Sequence, residues 1–204
     1  DYDYSFPKGL IAQEPLPTRD ASRLLCLERV TGKITHLYIR HLPQLLGQHD
    51  LLVLNDSRVF PARLIGRRPG GGKADLLLLQ AQPHPRWHAL ARRLHRYRLG
   101  MQLTFADHIV AEVVALHHDA LTLEFHCDRE KLEAIGTPPL PPYIARAASP
   151  ADRERYQTVY ARETGSAAAP TAGLHLTEHL LRSINTASVT LHIGLDTFQP
   201  IRSD

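Results

Sequence analysis

Ala62–Leu79 reads ARLIGRRPGGGKADLLLL, and the fold turns on how this stretch is divided. Ala62 to Arg67 and Ala74 to Leu79 are short strand-like runs, and Pro69-Gly70-Gly71-Gly72 between them supplies a reversal. The glycine run lacks the Gly-Lys-Ser/Thr ending of a phosphate-binding loop, so it reads as a hairpin turn. The same grammar continues downstream through His88 to Arg92, Gln102 to Phe105, Ala111 to Leu116 and Leu121 to Phe125, with His117-His118-Asp119 as a further reversal. Six strands with no helix among them predict a small closed or nearly closed antiparallel barrel. A helical turn from Asp128 ends it near Ile135.

On either side the pattern mixes strands and helices. Leu24 to Leu27 pairs with Ile34 to Ile39 across Thr31-Gly32 as a hairpin, and His41 to Leu46 is a short helix with Pro43 near its start. Leu51 to Leu54 is a continuous apolar run that predicts a buried strand. It exits through the polar cluster Asn55-Asp56-Ser57-Arg58. After the barrel, TPPLPP (137–142) is an extended strap, and Pro150 to Arg162 has helical spacing with Tyr156 and Tyr160 facing inward. The expected fold class is an α/β domain with an inserted small antiparallel β-barrel domain: residues 1–58, the six-stranded barrel over 59–137, and the α/β domain continued over 138–204.

The 204 residues carry a net charge of +3, but the charge is unevenly placed. Arg63, Arg67, Arg68, Lys73, Arg86, Arg92, Arg93, Arg96 and Arg98 face the single acid Asp75, which leaves the rest of the chain at 15 cations against 20 acids. A basic segment with Trp87 and Tyr97 in it suits a phosphate backbone and exposed bases, which makes Arg92, Arg93, Arg96 and Arg98 nucleic-acid-binding candidates. The plain alternative is a solvated strand face. Cys26 and Cys127 are far apart and lack metal-ligand spacing, consistent with a reducing compartment and two small buried side chains. No run approaches the ~18 apolar residues of a membrane span. The first residues do not read as a secretory leader, and a cytoplasmic location is expected.

Two stretches carry the chemistry: AAAPTAGLHLTE (167–178) and TLHIGLDTF (190–198). In the first, Pro170 fixes φ, Gly173 permits a left-handed turn and Thr177 caps a helix beginning about Glu178, which puts His175 on a loop entering a helix N-terminus. Backbone N–H groups and positive dipole potential there suit an anionic or electron-rich group. The second begins as an alternating strand, Ser188 to Ile193, and breaks at Gly194. Plain turn and capping chemistry is the competing explanation for both.

The wording of these stretches resembles the paired signatures of the S-adenosylmethionine:tRNA ribosyltransferase-isomerase family of queuosine synthesis. That family usually has Phe at Leu176 and often Gly at Asp196. Further matches are LNDSRVFPARL, GGKADLLLL, WHALARRLHRYRLG, PLPPYI and RERYQTVYA, so the likeness runs from end to end. The family spends more residues than Asn185 to Ala187 allows before its TLHIG strand, and it continues past the position of Asp204. With Asp1 in place of Met, the expectation is that this is the first part of a longer enzyme.

The resemblance implies that S-adenosylmethionine donates its ribosyl group to the aminomethyl group of 7-aminomethyl-7-deazaguanine in tRNA, giving epoxyqueuosine-tRNA, adenine and methionine, with no cofactor beyond that donor. A base near neutral pKa removes a C5′ hydrogen acidified by the sulfonium and keeps the attacking amine neutral. His175 and His192 are the catalytic candidates. Thr171 and Gly173 shape the turn, Thr190, His192, Gly194 and Thr197 line the opposing wall, and Asn55, Asp56 and Arg58 orient polar groups or the methionine carboxylate. A core imidazole is the competing reading of His192, while His117 and His118 read as inert. Two rivals remain. One is a non-catalytic nucleic-acid-binding barrel. The other is an H-x-x-E-H zinc protease over His175–His179, which needs both histidines and Glu178 on one helix. No metal, no membrane partner and a monomer are expected.

Overall fold

The computed structural model of the chain describes residues 4–81 and 85–194. These belong to two compact units, residues 1–59 with 140–204 and residues 60–139.

The first unit opens with β1 (Arg23–Leu27) and β2 (Ile34–Tyr38), an antiparallel hairpin in register from Arg23↔Tyr38 to Leu27↔Ile34. Gly32 turns it at φ 70°, a value that costs glycine nothing. The helix expected over His41 to Leu46 is instead a 3₁₀ turn over Ile39–Gln44 with Pro43 inside. Proline has no N–H for an α ladder, and the tighter turn tolerates it. β3 (Leu52–Asn55) then bends at Asp56 into β4 (Ser57–Val59). Of β3 only Leu54 is buried; it packs with Leu176 and Leu180, while Val53 on the opposite face is exposed. The run read as a wholly buried strand is therefore covered on one face.

The second unit is the barrel. β5 (Arg63–Arg67), β6 (Lys73–Ala81), β7 (Arg86–Ala91), β8 (Gln102–Thr104), β9 (Val110–Leu116) and β10 (Leu121–Phe125) close in the order β10-β7-β6-β5-β8-β9, all antiparallel. Gly70 and Gly71, at φ 80° and 86°, make the β5–β6 reversal. Alternate residues point inward: Leu64, Ala74, Leu76, Leu78, Trp87, Ala89, Leu103, Ala111, Val113, Leu121, Leu123 and Phe125 are buried together, filling a barrel of this size with side chains. Bulges between Leu78 and Gln80 and between Thr122 and Leu123 supply local twist. Thr122 is buried as well, and its hydroxyl is shared between His117 Nε2 at 2.9 Å and His88 Nδ1 at 3.1 Å. His117 thus has a structural partner. α1 (Arg129–Ile135) adds Leu132 to the barrel core, and Gly136 runs so close to the Pro61 carbonyl that no side chain fits there.

The chain then resumes the first unit. The helix expected over Pro150 to Arg162 is one turn, α2 (Asp152–Arg155). Tertiary partners win beyond it. Gln157 exchanges two hydrogen bonds with the Val59 backbone, at 2.9 and 2.8 Å, and Tyr156 is buried against Val59 and Ala169. β11 (Glu163–Ser166) pairs parallel to β4. α3 (Glu178–Leu181) is capped by Thr177, whose oxygen accepts from the Leu180 N–H at 3.2 Å. β12 (Thr186–Val189) pairs parallel to β3. These parallel pairs are made by strands from before and after the barrel, which is the expected α/β domain with an insertion.

The strand read as Ser188 to Ile193 is shorter and starts earlier. It ends where the Asn55 side chain takes over from the ladder, donating to the Leu191 carbonyl at 2.9 Å and accepting from the Leu191 N–H at 3.0 Å. Among the described residues no helix is long and apolar enough to cross a membrane.

Candidate substrate site

His175 ends a 3₁₀ turn, Thr171–His175, that follows Pro170. Arg19 pins this turn by donating to the Leu174 carbonyl at 2.9 Å and to the Glu154 carbonyl at 3.0 Å. Thr171, Leu174 and His175 line a cavity of about 260 Å³ whose other walls include Ala12 to Pro15, Tyr143 and the polar rim of Arg146, Asp152 and Arg155. Arg146 grips Asp152 through two nitrogens, at 2.6 and 2.9 Å, and the Ser149 N–H adds a third bond at 2.6 Å. These bonds, with Arg146 the largest influence, pull the Asp152 carboxyl down to about 2, so the rim stays ionised.

His175 is half-buried. Loss of hydration pushes its imidazole below the ordinary histidine value; a backbone hydrogen bond to Arg19 opposes this and the Arg19 charge adds to it. The ring is therefore neutral at pH 7 and able to accept a proton.

Gly173 does not adopt positive φ, which corrects the left-handed reading. Glycine is needed because a Cβ there would lie 2.0 Å from the Tyr160 hydroxyl. The helix behind His175 is a single turn, too short to supply much of the N-terminal potential expected of it.

The second cluster surrounds the bend between β3 and β4. Asp56, 2% exposed, accepts from Thr190 Oγ1 at 2.7 Å and from Arg162 Nη2 at 2.5 Å and Nε at 3.1 Å. Thr190 first and Arg162 second hold its carboxyl below the usual range. Next to it Ser57 Oγ lies 2.7 Å from His192 Nδ1 and 2.6 Å from Ser166 Oγ, and Ser166 Oγ accepts the Ile193 N–H at 2.8 Å. The His192 ring lies flat on Gly165, where a Cβ would come within 2.7 Å of it.

The expected set thus separates. Thr171 and His175 face the cavity, and none of Asn55, Asp56, Arg58, Thr190, His192 or Gly194 lines it, so Thr190, His192 and Gly194 do not form the opposing wall expected of them. Asn55, Asp56, Thr190 and His192 form their own hydrogen-bonded cluster. Arg58 is exposed in the middle of β4, Gly194 is exposed with open space around its Cα, and Thr197 lies outside the described residues. His192 is exposed rather than a core imidazole. His179 is exposed on α3 while His175 belongs to the preceding turn, so the H-x-x-E-H pattern does not lie on one helix. Among the described residues no three His, Cys, Asp or Glu side chains gather as a metal-binding group.

On the barrel, Arg92, Arg93 and Arg96 line a groove of about 310 Å³ together with Arg68, Gly72, Lys73 and Asp75. Asp75 is already engaged by Arg63 at 3.0 Å and Lys73 at 3.7 Å, so the groove is strongly positive. Arg98 is exposed and outside it.

Sequence reading missed Arg19, Tyr160, Arg162, Gly165 and Ser166. Arg19, Arg162 and Ser166 act through partners more than 100 positions away and Tyr160 and Gly165 through close approach to Gly173 and His192; only the isolated glycine in Glu163–Ser166 carried a local signal, that of close backbone approach.

The family model described as queuosine biosynthesis protein matches residues 1–204. The proteins named S-adenosylmethionine:tRNA ribosyltransferase-isomerase from Geotalea uraniireducens and Geobacter sulfurreducens are 43% and 46% identical over 215 and 214 residues. They cover 100% and 99% of this chain. The chain spans 63% and 62% of their lengths. The protein of the same name from Halothermothrix orenii is 43% identical over all of this chain and 62% of its own length. A crystal structure of S-adenosylmethionine tRNA ribosyltransferase from Thermotoga maritima is 30% identical, covers 95% of this chain and 58% of its own, and superposes with a TM-score of 0.38.

Proposed function

The chain belongs to the queuosine biosynthesis protein family, and from that membership we propose that it serves an S-adenosylmethionine:tRNA ribosyltransferase-isomerase. In this reading the ribosyl group of S-adenosylmethionine moves to 7-aminomethyl-7-deazaguanine in tRNA, leaving epoxyqueuosine-tRNA, adenine and methionine. The observation that carries it is identity of 43–46% over 99–100% of the chain with enzymes of that name.

The donor's sulfonium supplies the activation, so no further cofactor is required, and a cytoplasmic monomer suffices. His175, neutral and set in a cavity wall, is the group to take the C5′ proton; adenine then departs, the amine adds, and closure of the epoxide expels methionine. The ionised rim of Arg146 and Asp152 suits the charged amino-acid end of the donor.

The full-length enzyme, given S-adenosylmethionine and tRNA bearing 7-aminomethyl-7-deazaguanine, is expected to release adenine and methionine in equal amounts. Release of S-adenosylhomocysteine with adenine still attached would mean methyl transfer and sink the reading.

The barrel groove is the proposed seat of tRNA phosphates. Its cations Arg68, Lys73, Arg92, Arg93 and Arg96 release counterions from the backbone they meet, so binding weakens with salt. Replacing Arg92 and Arg96 with alanine is expected to flatten the log–log salt slope by about 1 to 2. Arg98→Ala, outside the groove, is expected to leave the slope as it is. A slope unchanged by the first pair, or changed as much by Arg98→Ala, would move the tRNA elsewhere.

A further inference from the structure

The two hydroxyls beneath His192 allow only one direction of hydrogen bonding. Ser166 is fully buried, and among the described residues its oxygen has two hydrogen-bond partners: the Ile193 N–H, which is itself a donor, and Ser57 Oγ. The Ser166 proton must therefore go to Ser57, because a buried hydroxyl proton with no acceptor is costly. Ser57 is also fully buried, and its oxygen has Ser166 Oγ and His192 Nδ1 as partners. Having accepted from Ser166, it has among the described residues only His192 Nδ1 left to donate to. That nitrogen must then hold a lone pair, and the ring's single proton in the neutral form sits on Nε2.

The reverse direction fails at its far end. Were Nδ1 protonated, it would donate to Ser57, Ser57 to Ser166, and the Ser166 proton would be left buried without an acceptor. Gly165 completes the arrangement by letting the ring lie flat on the backbone, and among the described residues Nε2 has no hydrogen-bond partner, while the residue is exposed.

We propose that Ser166 and Ser57 are positioning residues that hold His192 in its Nε2–H tautomer. The imidazole then offers a hydrogen bond to a proton-free acceptor on the substrate and is not the base that removes a proton. Carboxylate oxygens and purine ring nitrogens both have the required lone pair, and S-adenosylmethionine carries both. The assignment of that substrate rests on the functional reading above; the tautomer does not. It also divides labour between the two histidines, leaving proton removal to His175.

The test is nitrogen NMR of the full-length enzyme with ¹⁵N-labelled histidine, the His192 signals being identified by their loss in His192→Gln. The expected result is a pyridine-type Nδ1 and a pyrrole-type Nε2 at neutral pH. A pyrrole-type Nδ1 overturns the proposal.

Ser57→Ala removes the hydroxyl that donates to Nδ1, so an Nδ1–H population is expected to appear; a merely structural Ser57 would change stability and leave the tautomer alone. Adding S-adenosylmethionine is expected to shift Nε2, and methionine or adenine added singly tells the carboxylate from the ring nitrogen. No shift with S-adenosylmethionine overturns the donor role.

In the adenine-release assay, His192→Gln keeps an N–H near the place of Nε2 and is expected to retain kcat within about tenfold, while His192→Ala loses on the order of 10², the usual cost of one aimed donor. Equal losses in the two variants would identify a base and overturn the proposal. An Nε2–H tautomer in an enzyme that releases no adenine would instead defeat the ribosyl reading and leave the tautomer standing.

Discussion

Replacing His175 with alanine is expected to lower turnover of the full-length enzyme by on the order of 10² or more, the range for losing a general base. The expectation rests on place and charge state together. The imidazole lies in the wall of a cavity whose lining also carries the ionised pair Arg146 and Asp152. Burial holds it neutral.

The pH dependence has a definite sign. Protonation removes the base, so kcat/KM of the unaltered enzyme is expected to fall on the acid side through a pKa below the ordinary histidine value of about 6.5. His175→Ala should abolish that limb.

Stability follows the same direction, since a depressed folded-state pKa means that the unfolded chain binds the proton more readily. The stabilisation present above about pH 6.5 is lost as pH drops towards the lower folded value. Rates measured at each pH therefore have to be referred to the folded fraction. A variant that melts earlier but turns over normally once folded would make His175 a structural residue only.

How much of this was legible in the sequence depended on how local each cause was. The barrel was legible almost strand by strand, because period-two alternation and turn glycines are local. Leu121 to Phe125 was read with its observed bounds, and Gly70 and Gly71 do adopt the positive φ that their turn requires. The helix over Pro150 to Arg162 was not, because its spacing is helical but Gln157 and Arg162 are claimed by Val59 and Asp56 from the other side of the inserted barrel.

Gly173 shows a subtler limit. A glycine needed for its φ and a glycine needed for a close neighbour look alike until Tyr160 is in place. The basic run was legible as a charge excess, yet which cations share a groove depends on strand pairing, which brings in Arg68 and Lys73 and leaves out Arg98. In the second cluster the residue types were legible and the partners were not: Thr190 and Asp56 are 134 positions apart.

Gly165→Ala is expected to reproduce the loss expected for His192→Ala, on the order of 10² in turnover, with little change in stability. A Cβ at residue 165 would lie 2.7 Å from His192 Cε1 and Nε2 and 2.8 Å from Nδ1. Contacts that short cannot persist, and something must move. The neighbour is an exposed side chain rather than backbone, so the ring is the part that yields. Gly165 does not adopt positive φ, so alanine meets no backbone strain there, and less unfolded-state freedom even favours it slightly. The cost falls on the Ser57-to-Nδ1 hydrogen bond, at 2.7 Å too short to survive a displacement of the ring. Two readouts separate this from general damage. The melting temperature of Gly165→Ala should stay within a few degrees of the unaltered protein, while the His192 nitrogen signals lose the single tautomer. If turnover and tautomer are both unchanged by the added methyl group, the seating of His192 on Gly165 has no part in the reaction.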